Sequence, residues 1–198
     1  MVPLGIAATI LGILGGLPYI YNTYRRKTLP HRFAWFIFLI LSVITWASQY
    51  ALGARASLIF YSWFVINNII LLSLSLRKKA GYGDITLFNL LCMALAILAI
   101  LLWKTVDSAL LALICVLIAD GIGALLILVK AYKHPHTETL AMWAVGSIAT
   151  FLNIIAVGST QVSILAAPIQ VFLFNVGIAG AIIFGRQRAI QPKPKLQK

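Results

Sequence analysis

Three observations predict an all-α integral membrane fold of seven transmembrane helices: the composition, the spacing of the apolar runs and the placement of the cations. Of the 198 residues, 62% are hydrophobic and only 10% charged, against about 25% charged in a soluble domain. Lipid is the solvent that such a chain suits. A bilayer core about 30 Å thick takes about 20 apolar residues per helix. Seven such runs use nearly the whole sequence: Pro3 to Tyr24, Phe33 to Leu52, Ala56 to Leu76, Ile85 to Trp103, Val106 to Val129, Thr139 to Gly158 and Val162 to Gly185. The runs are continuous, whereas a barrel strand alternates over about 10 residues, and backbone groups in lipid must bond within their own segment.

The first run is preceded by no Lys or Arg and is long enough for a full span, so it reads as a retained helix rather than a cleaved signal. The connection after it carries Arg25, Arg26, Lys27 and Arg32, the third connection Arg77, Lys78 and Lys79, and the fifth Lys130 and Lys133. The C-terminal tail adds Arg186, Arg188, Lys193, Lys195 and Lys198, whereas the alternate connections hold only Arg55 and Lys104. By the positive-inside rule this asymmetry places the N-terminus outside and the C-terminus in the cytoplasm. The +12 net charge is thus topological and gives no reason to expect nucleic acid; anionic lipid is the natural counterpart. Cys92 and Cys115 lie inside apolar runs and read as small packing residues. A multi-pass protein of a prokaryotic inner or plasma membrane is expected, with no cofactor, with lipid and a small solute as partners, and with homo-oligomerisation left open.

An internal repeat gives the odd number of spans a meaning. At a shift of 108 residues, without gaps, Gly15 falls on Gly123, Tyr24 on Tyr132, Trp35 on Trp143, Phe64 on Phe172 and Asn67 on Asn175. A three-helix unit ends on the opposite side of the membrane from its start, so two parallel copies need one extra crossing between them. The fourth run, whose only polar side chains, Thr86 and Asn89, lie near its start, suits that role. The expected organisation is therefore 3+1+3: residues 1–80 as the first three-helix repeat, 81–105 as the linker helix, 106–188 as the second repeat and 189–198 as a basic cytoplasmic tail. Parallel repeats place a solute site near the midplane where they meet.

The first helix ends Gly16-Leu17-Pro18-Tyr19-Ile20-Tyr21-Asn22-Thr23-Tyr24-Arg25-Arg26-Lys27-Thr28. This resembles the PQ-loop signature, a Pro-Gln pair near the cytoplasmic end of a helix followed by an aromatic and basic stretch closing on Lys-Ser or Lys-Thr. With the seven-helix plan, the chain resembles the PQ-loop/SWEET (MtN3) transporter superfamily. Tyr19 stands where that signature has Gln, and Leu125-Leu126-Ile127 stands where the second copy would have Pro-Gln. The resemblance implies a hinge at Pro18 and Tyr19, since a helical proline removes a backbone hydrogen bond and makes a bend point. It also implies that Asn67 and Asn175, near the middle of the third and seventh runs, face one cavity and bind solute hydroxyls. An amide at membrane depth offers both donors and acceptors, although interhelical bonding is the alternative for both.

The second and sixth runs add polar candidates for the same cavity: Trp46, Ser48 and Gln49 in one, and Asn153 in the other, which falls on Thr45 at the repeat shift. Trp35 and Trp143, one turn into their helices, read as interfacial anchors. Asp120, the only acid deep inside a run, is a candidate for proton coupling or for a structural hydrogen bond. His134-Pro135-His136-Thr137-Glu138 reads as a helix start rather than a metal site, because the proline interrupts any helical ligand spacing. With four acidic residues and no nucleophile-base arrangement, no enzyme is expected. The expected function is alternating-access transport of a small, polar, sugar-like solute. The alternatives are a proton-coupled carrier of amino acids or related metabolites using Asp120, and a non-transporting receptor or assembly protein on the same fold.

Overall fold

A computed structural model describes residues 2–51, 58–105, 109–157 and 160–190. Among the described residues the chain is all-helical, with seven α-helices: α1 Val2–Tyr24, α2 Arg32–Ala51, α3 Leu58–Ser75, α4 Leu87–Thr105, α5 Ala109–Lys133, α6 Leu140–Val157 and α7 Val162–Ile190. A single 3-10 turn, Pro135–Thr137, separates α5 from α6. Three helices contain stretches long and apolar enough to cross a membrane: Pro3–Tyr24, Leu113–Lys133 and Leu165–Ala189. The other four carry shorter apolar stretches, Arg32–Ala47, Ser62–Ser75, Leu87–Leu102 and Leu140–Ala156.

Two helices run past the ends expected from the apolar runs. α5 continues to Lys133, so Lys130 lies inside its last turn instead of in a connection. α7 continues to Ile190 and takes in Arg186 and Arg188. Cations suit these positions, where the last carbonyls and the helix dipole are negative.

Side-chain size sorts inside from outside. On α4, Cys92, Ala96 and Ala99 are buried at helical spacing, while Leu87, Leu91, Leu95, Leu98 and Leu102 are exposed. A helix in water does the reverse; small residues inward and large apolar residues outward is the pattern of helices packed in lipid. The most extensive helix pairing is α1 on α6, followed by α4 on α5, α6 on α7, and both α2 on α3 and α5 on α7; α2 also packs on α5. At Gly15 a side chain would meet Val145 at 3.2 Å, so the missing side chain lets α1 and α6 approach closely.

The connections that carry the cations meet at one end of the bundle. The Leu29 amide bonds the Thr137 carbonyl and the Tyr82 amide bonds the Pro30 carbonyl, joining the α1–α2, α5–α6 and α3–α4 connections. His31, Tyr82 and His134 form a ladder of rings there, with centroids 5.5 and 5.2 Å apart. Gly83 closes the α3–α4 connection with φ of +102°, a conformation that favours glycine.

Candidate functional site

At this basic end, Pro18 leaves α1 an unbroken helix to Tyr24, and Tyr19 is fully buried between two tryptophans. Its ring centroid lies 5.5 Å from that of Trp35 and 6.2 Å from that of Trp143. The Tyr19 hydroxyl donates to Glu138 Oε1 at 3.4 Å, and Trp143 Nε1 donates to the other carboxylate oxygen at 3.2 Å. Both tryptophans are therefore core residues, not interfacial anchors: Trp35 and Trp143 are buried, and the indole of Trp143 completes a polar cluster.

Glu138 is itself paired. Lys130 Nζ lies 2.6 Å from Glu138 Oε1, and both side chains are fully buried. Lys130 also donates to the Leu29 carbonyl and, at 3.2 Å, to that of Thr137. Thr139, just before α6, shares a hydrogen bond between hydroxyls with Thr28 and accepts one from Asn22 Nδ2 at 3.1 Å. Every proton of the ammonium thus has an acceptor and each carboxylate oxygen a donor. This matters because an isolated buried charge costs several kcal/mol. The bonds from Tyr19, Asn22, Thr28 and Leu29 tie the end of α1 and its following connection to α5 and to the start of α6. Elsewhere on the same helices Thr9 bonds the Gly5 carbonyl, Ser147 that of Trp143 and Thr150 that of Gly146, whereas the buried hydroxyl of Thr23 has no partner.

This pair was not legible as a site. Lys130 reads as one more loop cation, and Glu138 as part of a helix start. The spacing of eight residues across a proline turn fits no helical or strand pairing rule. A usable signal is present nonetheless: a lysine closing one apolar run and a glutamate opening the next.

His31 sits beside this cluster, with its Nδ1 buried and unpaired. Burial, and then the positive charge of Lys130, lower its pKa from 6.5 to about 4, so the ring is neutral near pH 7.

The asparagines occupy comparable niches on two helices. Asn67 on α3 is 7% exposed, and its Oδ1 has no hydrogen-bond partner. It rests against Gly16 of α1, where an added side chain would come within 3.4 Å of that oxygen. Asn175 on α7 is half-buried and rests in the same way against Gly146 of α6. The neighbouring Asn68 donates to the Phe38 carbonyl at 3.1 Å and ties α3 to α2.

The remaining candidates scatter. Trp46 Nε1 donates to Ser62 Oγ at 2.9 Å, and its ring stacks on Tyr50. Trp46 lines an apolar recess of about 290 Å³ with Val43, Ser62, Val65 and Ile66. Val43 and Ile66 are about half exposed, so the recess opens sideways between α2 and α3 rather than toward the amides. The side chains of Ser48 and Gln49 lie outside the described residues. Asn153 is half-buried on α6. Asp120 on α5 accepts from Gln170 Nε2 of α7 at 3.0 Å, and the same nitrogen donates to the Leu117 carbonyl. Among the described residues, no cluster of three or more His, Cys, Asp or Glu is arranged to hold a metal ion.

No family model, no curated protein and no solved structure matches this chain.

Proposed function

We propose that the chain is a seven-span membrane carrier that moves a small polar, sugar-like solute by alternating access between two parallel three-helix units joined by α4. The observation that carries this reading is the buried, unpaired acceptor oxygen of Asn67. A buried polar atom without a partner costs about 1–3 kcal/mol, and a hydroxylated solute would remove that cost. Asn175, its equivalent at the 108-residue shift, sits against Gly146 of its own unit.

Two further features support paired units. The contacts of α1 with α6 and of α5 with α2 are exchanged by the repeat. So are the tyrosines of two cation–ring contacts: Arg77 at the end of α3 lies over Tyr24 of α1 at 5.4 Å, and Arg188 near the end of α7 lies over Tyr132 of α5 at 5.6 Å.

In this reading the basic end is cytoplasmic and shut. Opening it means breaking the bonds that cross from the first unit to the second, namely Tyr19 to Glu138, Lys130 to Leu29, the Leu29 amide to Thr137, and Thr139 to Asn22 and Thr28. Neutral hydrogen bonds contribute about 1 kcal/mol net and charge-assisted ones about 1.5–3, so together these resist opening by roughly 6–9 kcal/mol. Rehydration of the exposed groups offsets part of this, and a solute preferring the open state supplies the rest through its differential affinity. Among the described residues Asp120 bonds within the second unit, to Gln170, so in this reading it keeps its partner when the units rock.

Reconstituted protein should take up labelled solute from a panel of sugars and amino acids, and Asn67→Ala or Asn175→Ala should abolish uptake. Asp120→Asn, which can still accept from Gln170, should leave both flux and its pH dependence unchanged. Neither flux nor binding across the panel would overturn the carrier reading in favour of a receptor or assembly role.

A further inference from the structure

The cations at the basic end lack acidic partners. Lys130–Glu138 is the one ion pair among the described residues, and Arg25, Arg26, Lys27, Arg77, Lys78 and Lys79 are all exposed. The first three follow the last residue of α1, and the other three follow the end of α3. Arg77 brings the two groups together, because its guanidinium lies over the Tyr24 ring at 5.4 Å.

Two helix ends present the equivalent of about one negative charge, roughly half a charge each. Six cations exceed that by about five. Hydration alone accounts for exposed lysines, but it does not explain an arginine held over an exposed tyrosine. That contact holds the guanidinium near the ring while the side chain stays exposed, and a guanidinium is suited to bidentate contact with a phosphate.

What lies beside the stack identifies the source of the phosphate. On α1, Leu14, Leu17, Tyr21 and Tyr24 are exposed at helical spacing and form an apolar stripe that ends at the stack. Leu76, one residue past the end of α3, is exposed beside Arg77. Free phosphate has no use for an apolar stripe, whereas a phospholipid lays an acyl chain along it and its headgroup at the cations. Tyrosine is at home at that depth.

We propose that the α1–α3 edge is a binding site for an anionic phospholipid, with the headgroup phosphate on Arg77 over Tyr24 and an acyl chain along the α1 stripe. The proposal rests on the basic end lying at a membrane surface and is independent of what the protein transports.

The full chain, purified in a zwitterionic detergent, would be titrated with short-chain phosphatidylglycerol, with phosphatidylcholine of the same chain length, or with glycerol 3-phosphate. Melting temperature is the readout. Phosphatidylglycerol should raise it saturably, and the other two should not. Each cation near an anionic headgroup contributes about a fivefold gain in affinity, so Arg77→Gln/Lys78→Gln/Lys79→Gln should weaken the apparent affinity roughly a hundredfold. Its lipid-free melting temperature should stay unchanged, since all three side chains are exposed. Tyr24→Leu should weaken binding and Tyr24→Phe should not, because only the ring is required. An equal shift with phosphatidylcholine, or full affinity in the triple variant, would overturn the site. An equal shift with glycerol 3-phosphate would make it a soluble-anion site and overturn the lipid.

Discussion

A histidine with no partner for its Nδ1, packed against Tyr82 and near a buried lysine, has reason to stay neutral. The pKa of His31 falls from 6.5 to about 4, so below pH 6.5 the unfolded chain binds a proton that the folded chain does not. Stability from this group is complete above pH 6.5 and is lost as the pH falls toward 4, by up to about 3 kcal/mol. Melting curves between pH 7 and pH 4 should therefore fall less steeply for His31→Gln than for the parent. Parallel curves would show that the ring is not held neutral. Lys130 and Glu138 obey a different rule. Lys130→Met leaves Glu138 buried without its counter-charge and should cost about 3–5 kcal/mol, whereas Lys130→Met/Glu138→Leu strands no charge and should recover part of that loss, the remainder being the Tyr19 hydroxyl and Trp143 N–H left without their acceptor. Comparable melting temperatures for the single and double variants would contradict this account.

At the scale of helices, much was legible because apolar runs of membrane length have few other solutions. The beginnings and ends of α1, α2 and α6 match their runs to within one residue. The ends of α5 and α7 were not legible, because a cation stops an apolar run without stopping a helix, and Lys130 and Arg188 continue theirs. The amides Asn67 and Asn175 stood out because polar residues are rare in such runs. The tryptophans misled for the opposite reason: aromatics near a run's end are so often anchors that Trp35 and Trp143 gave no sign of flanking Tyr19. Close approach of α1 to α6 depends on Gly15. Gly15→Leu should cost the roughly 1–3 kcal/mol of stability typical of overpacking and lower the melting temperature accordingly, and Val145→Ala in the same chain should restore part of it, since the two sites are in contact. Simple additivity of the two changes would place the new side chain elsewhere.

For the molecule as a whole, the polar ties at the basic end set the balance between two facings of the proposed carrier. Lys130→Met/Glu138→Leu removes the charges that grip Leu29 and Tyr19 without leaving a charge stranded. In a chain with Cys92 and Cys115 replaced by Ala, a reporter at Val145→Cys should then react at least tenfold faster with an impermeant thiol reagent from the basic side, the equivalent of about 1.4 kcal/mol lost from the ties. An unchanged labelling rate would mean that this cluster holds the fold together without gating it.

The same ties have a consequence for how the protein is made. Tyr19 and Glu138 are 119 residues apart, and Leu29 and Lys130 are 101 apart. At about 5–20 residues per second, the ribosome needs roughly 5–25 seconds to deliver the second member of each pair after the first. Throughout that interval α1 stands in or near the membrane with Tyr19 and Asn22 lacking these partners. The ties at the basic end therefore cannot form until α5 and the start of α6 have been made, and a chain stalled before α5 would display that end without them to whatever insertion and quality-control machinery attends it.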